Sequence, residues 1–301
     1  MSHNLITILG PTATGKTRLA AKLAKEFNGE IISADSRQVY REMNIGTGKD
    51  IEDYTVDELQ IPYHMIDILD PTEEFDVYKF SRLFYEIHGG IIDNNKIPFL
   101  VGGTGLYLNS ILKGYTFANA DFSEENLSQF NKYSIAELRD ILLRLNPNPH
   151  NTTDLLNKER IIKAIILAGS QDKSYPNKTK INFLVLGIKL PRSVIKKRIT
   201  ARLKIRMKNG MIEEVEKLLK KGISCEKLEF FGLEYKYIGL YLKKELNYND
   251  MFQTLNCAIH KFAKKQMTWF RKMEKEGIRI IWIDGPDYEV AKEIIKQNFQ
   301  K

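Results

Sequence analysis

The eight residues 10–17, GPTATGKT, constrain the fold more than any other part of the chain. They match the pattern G-x-x-x-x-G-K-S/T, in which backbone N–H groups surround a phosphate and the lysine adds a full charge. The apolar run 5–9 precedes the pattern and predicts a buried strand. Leu19, Leu23 and Phe27 follow it at helical spacing. A strand, a glycine loop and a helix in this order predict a phosphate-binding loop.

Further short apolar runs predict a sheet, and they lie at residues 30–33, 64–69, 97–101, 183–188 and 278–283. Because these runs alternate with helical stretches, we expect an α/β fold, a P-loop NTPase-like parallel sheet with helices on both faces. Ligands of such sheets bind at the carboxyl ends of the strands. The loops at 10–17, 34–38 and 102–107 are therefore expected to share one crevice.

Residues 115–182 have a different pattern and predict a small helical insertion domain. Apolar residues recur at helical spacing over 135–145 and again over 161–166. The P-loop core is then expected to comprise residues 1–114 and 183–301.

The charge of the chain favours a polyanionic partner. The net charge is +8, and residues 196–208 contain seven basic side chains and no acidic one. A second basic cluster surrounds Trp269 and Phe270. Solvated helix faces can have this composition, but basic clusters interleaved with aromatic residues favour nucleic acid.

The remaining composition predicts a cytoplasmic protein without membrane contact. No apolar run reaches the roughly 20 residues of a membrane span, and the first ten residues do not predict a signal peptide. Cys225 and Cys257 are the two cysteines and form no C-x-x-C pair, so we expect free thiols in a reducing compartment.

The glycine loop alone leaves the identity of its phosphate open. ATP binding is compatible with it, with Thr17 ligating Mg²⁺. A kinase or ATPase also needs a second carboxylate for the metal, at the end of an apolar strand. Asp35 and Asp67 are candidates, but neither follows a run of four apolar residues.

Two other loops carry candidate functional groups. Asp35 is either a helix cap or a functional carboxylate, and residues 36–38 (SRQ) include side chains suited to base edges. Thr104 lies among three glycines in 102–107, either in a flexible turn or in a second substrate-binding loop.

Gln266 interrupts an apolar helical stripe near the C-terminus, so its side chain either has hydrogen-bond partners within the chain or faces a ligand channel.

Together these segments resemble the tRNA dimethylallyltransferases, also called tRNA isopentenyltransferases. The similar segments follow the order of that family: GPTATGKT (10–17), ADSRQVY (34–40), MNIGTGK (43–49), PYHMID (62–67), VGGTGLYL (101–108), RITARL (198–203), NGMIEEVEKLL (209–219) and AKKQMTWFR (263–271). DSRQVY, GGTGLY and KKQMTWFR are specific in combination.

The resemblance implies transfer of a dimethylallyl group from dimethylallyl diphosphate to N6 of the adenine next to the anticodon, with Mg²⁺ as cofactor. It implies three catalytic residues: Asp35 as the base, Thr104 at the reacting centre, and Arg202 on the diphosphate. Diphosphate binding is implied for Gly10, Thr12, Ala13, Thr14, Gly15, Lys16, Thr17 and Arg202, with Thr17 also on the metal.

The same resemblance implies the contacts with the tRNA anticodon stem-loop. They are expected from Asp35, Ser36, Arg37, Gln38, Arg160, Lys163, Lys264, Lys265, Gln266, Trp269 and Arg271. We expect the protein to act as a monomer. The chain departs from the family pattern at 46–50 (GTGKD), 163–166 (KAII) and 234–236 (EYK). The last two departures bear on tRNA choice and leave the diphosphate and Asp35 assignments intact.

Three alternatives remain. A P-loop kinase of a small metabolite or nucleotide does not explain the basic Trp–Phe segment. An RNA-binding NTPase switch explains the basic clusters but neither Thr104 nor Asp35 in the same crevice. An enzyme that prenylates free adenosine phosphates has less need of an insertion and a basic track.

Overall fold

The computed structural model describes residues 3–115, 123–145, 155, 158–169 and 181–298. The chain divides into two compact units, one formed by Met1–Gly114 with Thr179–Lys301 and the other by Tyr115–Lys178. Within the described ranges, no helix is long and apolar enough to cross a membrane. Both cysteines are free thiols.

The first unit contains a six-stranded parallel sheet. The strands of the chain are β1 (Leu5–Leu9), β2 (Gly29–Ala34), β3 (Thr55–Val56), β4 (Leu59–Gln60), β5 (Tyr63–His64), β6 (Ile97–Gly102), β7 (Phe183–Lys189) and β8 (Ile281–Asp284). β3 and β4 form a separate antiparallel pair. The other six lie in the order β5-β2-β6-β1-β7-β8, which confirms the expected α/β class.

Helices connect these strands and also form the second unit. They are α1 (Lys16–Glu26), α2 (Val77–Asp93), α3 (Gly105–Leu112), α4 (Glu124–Ser128), α5 (Ile135–Leu145), α6 (Lys158–Gly169), α7 (Arg192–Lys208), α8 (Met211–Lys220), α9 (Cys225–Phe231), α10 (Leu233–Leu242), α11 (Tyr248–Lys275) and α12 (Tyr288–Asn298), with a 3₁₀ turn at Ile51–Tyr54. In the second unit, α5 and α6 pack through Leu138, Leu142, Ile161 and Ile165.

The sheet buries both of its faces, as a parallel sheet requires. Leu5 and Leu9 of β1 pack in the core that includes α2, α3, α7 and α11. Ile6 and Ile8 point to the opposite face and pack in the core that includes α1 and α12. Because successive side chains of a strand point to opposite faces, each face of the sheet packs against its own set of helices.

The strand expected at 64–69 is wrong in its extent. Only Tyr63 and His64 pair with β2. Met65 and Asp67 have positive φ angles of 64° and 55°, which extended backbone cannot adopt. The last strand also begins later than expected, at Ile281.

Three neighbouring strands end at the same level of the sheet. Gly102, the last residue of β6, is in register with Leu9 of β1 on one side and Ala34 of β2 on the other. A Cβ at Gly102 would lie 2.3 Å from the carbonyl oxygen of Ala34, so only glycine fits here. The loops after β1, β2 and β6 therefore leave the sheet side by side.

Candidate active site

Residues 10–17 connect β1 to α1 in a turn shaped for an anion. Gly15 has a φ of 86°, and α1 begins at the next residue without a side-chain cap or an acidic residue in its first turn. A Cβ at Gly10 would lie 2.9 Å from the carbonyl oxygen of Ile188, so β7 approaches the loop closely. The first N–H groups of α1 and the positive end of its dipole remain available to a phosphate.

Two half-buried cations converge on this turn. Burial, and secondarily the nearby Arg202, lower the pKa of Lys16 from 10.5 to about 8, while Asp35 acts in the opposite direction. Burial, and secondarily Arg206, lower the pKa of Arg202 to about 10. Cations whose charged forms are disfavoured by burial and by each other are stabilised when an anion binds between them.

The threonines of the loop mainly hold the loop itself. The Thr14 hydroxyl is buried and donates to the carbonyl oxygen of Pro11 at 2.9 Å. The Thr12 hydroxyl accepts a hydrogen bond from Arg202 of α7. Arg198 donates to the carbonyl oxygen of Thr14 at 3.4 Å. Contact between diphosphate and Thr12 or Thr14 stays a prediction, and their hydroxyls already have partners in the chain.

Asp35 follows β2 but caps no helix, because residues 36–39 form a turn. One carboxylate oxygen, Oδ1, accepts hydrogen bonds from the backbone N–H groups of Arg37 (2.9 Å) and Gln38 (3.3 Å). This turn fixes the side chain. The other oxygen, Oδ2, accepts no hydrogen bond from the part of the chain that the structure describes. Asp35 therefore stabilises this turn through one oxygen and keeps the other available to a ligand.

Thr104 precedes α3 and joins the loops after β2 and β6. Its Oγ1 accepts a hydrogen bond from the N–H of Ser36 at 3.3 Å, and its own N–H donates to Ala34 at 3.3 Å. Thr104, Asp35 and Lys16 line one cavity of about 440 Å³. The crevice expected from the strand order is thus confirmed.

Gln266 of α11 ties two of the loops together. Its Oε1 accepts from the N–H of Thr12 at 2.9 Å, and its Nε2 donates to the carbonyl oxygen of Gly103 at 3.0 Å. The side chain is 6% exposed. Of the two alternatives left open by the sequence, the structure shows internal satisfaction, although Gln266 also forms part of the cavity wall.

The side chains expected to contact the adenine differ in their availability. Gln38 donates to the carbonyl oxygen of Gly48 at 3.0 Å and accepts from Ser33 at 3.3 Å, so its amide is used inside the chain. The Arg37 guanidinium lies over the Phe230 ring, 4.4 Å from its centroid. Ser36 and Arg37 both line the cavity, so they remain candidates for contact with a base.

Glu214 of α8 anchors the loop at 43–49 and was missed by the sequence analysis. Its carboxylate accepts three backbone hydrogen bonds, from Asn44 (2.8 Å), Ile45 (2.7 Å) and Gly46 (2.9 Å). A fourth comes from the Tyr235 hydroxyl at 2.8 Å. The available signal was a glutamate on the apolar stripe of an amphipathic helix, where a buried charge needs several donors.

Further charged residues of the cavity were also missed. Arg206 is 8% exposed and lies 3.3 Å from Asp50. Glu234 lines the same cavity as Arg206, and burial raises the pKa of its carboxyl group. The cavity therefore contains carboxylates as well as cations.

The cavity of about 440 Å³ that Lys16, Asp35 and Thr104 line is called the central cavity below. The residues expected to contact RNA do not all face it. Lys264 and Arg271 line a separate cavity of about 420 Å³ between α7 and α11, together with Arg192 and Lys196. Trp269 packs against Gly105, where a Cβ would lie 2.8 Å from the Trp269 side chain.

The other three residues of that expectation lie on helix surfaces. Lys265 is exposed on α11. In the second unit, Arg160 is exposed on α6, and Lys163 forms a 2.8 Å ion pair with Glu159.

Comparison with known proteins agrees with the motifs. Two family models match the chain, one described as isopentenyl transferase over residues 3–60 and one as IPP transferase over residues 38–273. The chain is 46% identical over 304 residues to tRNA dimethylallyltransferase 1 of Syntrophus aciditrophicus, covering 100% of both chains. It is 48% identical over 301 residues to the protein of the same name from Geotalea uraniireducens, covering 99% of both.

A solved structure gives the same result. The fold matches the full-length tRNA isopentenylpyrophosphate transferase of Bacillus halodurans with a TM-score of 0.71 and 32% sequence identity, covering 98% of this chain and 95% of that one. With its phosphate loop, its Asp35 turn and its Thr104 loop at one crevice, the chain belongs to the tRNA dimethylallyltransferase family.

Proposed function

We propose that this protein transfers the dimethylallyl group of dimethylallyl diphosphate to N6 of the adenine next to the anticodon of tRNA, with release of diphosphate. One observation carries the proposal. A single cavity brings an anion-binding pair, Lys16 and Arg202, together with a positioned carboxylate, Asp35, and the Thr104 hydroxyl. The names of the relatives support the choice of tRNA as acceptor and of a dimethylallyl donor.

The cations serve the leaving group. As the bond from the allylic carbon to the diphosphate oxygen breaks, the electron pair moves onto the diphosphate, and its charge increases. Lys16, Arg202 and the first N–H groups of α1 stabilise that charge in place, without reorganising during the reaction. Because this charge is greater in the transition state than in the bound substrate, the same contacts accelerate the reaction.

Asp35 serves the acceptor. The N6 lone pair forms the new bond to the allylic carbon, after which the N6 proton is acidic and moves to the free carboxylate oxygen. A carboxylate is a sufficient acceptor at that point, so Asp35 needs correct placement above all. The hydrogen bonds from Arg37 and Gln38 supply that placement by holding Oδ1.

The residues around Thr17 fit a Mg²⁺ ion. Thr17, Asp50 and Asp53 line one small polar cavity beside the phosphate loop, and hydroxyl and carboxylate oxygens are the donors that Mg²⁺ prefers. Burial, and secondarily Asp50, raise the pKa of Asp53, while Arg18 and Arg202 act in the opposite direction. Mg²⁺ would supply further neutralisation of the diphosphate charge.

The acceptor has to present an unstacked adenine, and an anticodon loop does so at low energetic cost. We infer that cationic residues of α11 and α6 bind the phosphates of the stem, among them Lys264, Lys265, Arg271, Arg160 and Lys163. We infer that the protein acts as a monomer. A cytoplasmic location, where tRNA is modified, belongs to the same proposal.

A kinase receives less support. Strands β6 and β7 flank β1 and end at Gly102 and Lys189. The carboxylates near the phosphate loop, Asp50 and Asp53, therefore lie at the 3₁₀ turn and do not come from the end of a neighbouring strand as in a kinase. Asp35 lies one strand further away, directly after β2. The nucleotide-switch alternative requires the same metal-binding carboxylate and is disfavoured for the same reason.

The decisive experiment incubates the protein with anticodon stem-loop RNA, dimethylallyl diphosphate and Mg²⁺, with and without ATP, and measures the mass of the RNA. A gain of one dimethylallyl group without ATP is expected. A stem-loop with purine in place of the target adenine is the matched control and should gain nothing. Unchanged RNA with consumption of ATP would support the kinase or the switch, and prenylation of free AMP instead of RNA would support the third alternative.

A further inference from the structure

Phe230 is an exposed aromatic residue at the edge of the central cavity. It is the second-last residue of α9 and is 42% exposed. Its neighbours Glu229 and Phe231 both line the cavity. The Phe230 ring itself contacts Arg37, which lines the cavity, so the ring lies at the cavity edge.

Cations surround this ring. The Arg37 guanidinium lies 4.4 Å from the ring centroid, and the Lys227 ammonium lies 5.2 Å from it. Arg37 itself lines the cavity, immediately after Asp35 and Ser36. The Arg37 guanidinium thus lies over the Phe230 ring, and the pair combines two planar groups of the kind on which bases stack.

The packing of α9 does not depend on Phe230. Phe231 next to it is 1% exposed and contacts Tyr40 and Tyr235, with ring centroids 5.0 and 6.2 Å apart. Leu228 is buried as well. These two side chains anchor the helix, so the Phe230 ring is available for another contact.

Unpaired bases stack on aromatic rings and on arginine planes, largely independently of sequence. When the target adenine leaves the anticodon loop for the cavity, its neighbours lose a stacking partner. We propose that the Phe230–Arg37 pair is a stacking platform for a nucleobase that flanks the target adenine. The inference rests on the proposed function, because it requires an RNA acceptor in the cavity.

Two substitutions of Phe230 test the proposal, because they distinguish loss of the aromatic ring from loss of apolar volume. Phe230→Leu keeps an apolar side chain and removes the ring, whereas Phe230→Trp keeps a stacking surface. We expect the Leu variant to raise the KM for stem-loop RNA about tenfold, with an unchanged KM for dimethylallyl diphosphate. The Trp variant should stay within about twofold of the unsubstituted protein. Tyr248→Leu, at a residue on α11 that is 44% exposed, is the matched control and should have no effect.

Abasic RNAs identify the contact and exclude a purely structural role. Binding is measured by fluorescence anisotropy, with stem-loops that lack the base on the 5′ or the 3′ side of the target adenine. One of the two should bind the unsubstituted protein about tenfold more weakly and show no further loss with Phe230→Leu. An equal loss from Phe230→Leu on all three RNAs, or no loss on any, would overturn the proposal. Prenylation of intact RNA by the unsubstituted protein tests the proposed function separately.

Discussion

The side-chain amide of Gln266 accepts a hydrogen bond from the backbone N–H of Thr12, 2.9 Å away and 254 positions earlier in the chain. The same amide donates to Gly103 at 3.0 Å. Because the N–H of Thr12 can only donate and the carbonyl of Gly103 can only accept, the orientation of the amide is fixed. One side chain of α11 thus sets the spacing between the loops after β1 and β6.

Gln266→Glu should therefore damage the site although it barely changes the shape of the side chain. A carboxylate can still accept from Thr12 but cannot donate to Gly103, so a buried carbonyl loses its partner at a cost of about 1–3 kcal/mol. We expect a lower Tm and a decrease in kcat/KM of more than tenfold. Gln253→Glu, at an exposed residue of the same helix, is the control. Equal stability and activity of the two variants would contradict the role assigned to Gln266.

Asp35→Asn should separate the two functions of Asp35. The amide oxygen can still accept the hydrogen bonds from Arg37 and Gln38, so the turn is kept, but the side chain cannot take the N6 proton. Loss of a general base typically lowers the rate by about 10²–10⁴-fold. We expect that decrease in kcat, with RNA and diphosphate affinities within a few fold. Transfer at the rate of the unsubstituted protein would rule out Asp35 as the base.

Lys16 should make diphosphate binding dependent on pH. Its pKa of about 8 in the ligand-free site lies below the ordinary 10.5, and a bound anion favours the charged form. Binding near pH 8 should therefore take up protons, and affinity should fall as the pH rises through 8. Titration calorimetry in two buffers with different ionisation enthalpies measures this uptake, and Lys16→Met should abolish it.

The lowered pKa of Lys16 also affects the free energy of unfolding. Between pH 8 and 10.5 the unfolded chain binds more protons at Lys16 than the folded chain does, so the contribution of this group to stability rises with pH across that window. At neutral pH, Lys16→Met should be more stable than the unsubstituted protein in the absence of ligand. A less stable variant, or proton uptake that persists in it, would contradict the assignment.

Glu214 and Tyr235 should differ in their contribution to the free energy of unfolding. Tyr235→Phe removes one donor and leaves the Glu214 carboxylate with three N–H groups, at a cost of about 1 kcal/mol. Glu214→Gln should lower the free energy of unfolding more than Tyr235→Phe does. In either orientation of the new amide, its NH₂ group faces a backbone N–H of the loop at 43–49. We expect a loss of about 3 kcal/mol in urea unfolding. Equal losses for the two variants would contradict this hydrogen-bond arrangement.

Lys264→Ala combined with Arg271→Ala should weaken tRNA binding without affecting the donor. Both residues line the cavity between α7 and α11 instead of the one beside the phosphate loop, so the KM for dimethylallyl diphosphate should not change. Two lost contacts with stem phosphates should reduce the slope of log K against log salt by about 1.8, the value for two phosphates of a duplex. Lys275→Ala with Arg279→Ala removes the same charge elsewhere and is the control. An unchanged slope in the first pair would argue against phosphate contacts there.

Local patterns were sufficient to predict the frame of the site. The phosphate loop, Asp35 and Thr104 each follow a short apolar run, and parallel strands bring their carboxyl ends to one edge. The prediction of a strand at 64–69 was wrong because Met65 and Asp67 have positive φ angles. The apolar pattern of this segment does not indicate those angles.

Contacts between distant positions could not be predicted in this way. Gln266 was recognised as anomalous, but its partners lie 254 and 163 positions away, and periodicity carries no information about such pairs. Glu214 was hidden for the same reason, since the N–H groups that it binds belong to a loop about 170 positions earlier. Lys264 and Gln266 are near neighbours on one helix but face different surroundings, which depends on how α11 packs.

The central position of β1 also affects how the protein is made. This strand, LITIL, pairs only with β6 and β7, whose residues lie about 90 and 180 positions further along the chain. At ordinary rates of translation, roughly 10–40 s pass between synthesis of β1 and synthesis of its second partner. Throughout that interval at least one edge of a short apolar segment without charge or proline is unpaired, and this is the composition of aggregation-prone strands. A site built around the first strand thus leaves one edge of that strand open until β7 has been synthesised.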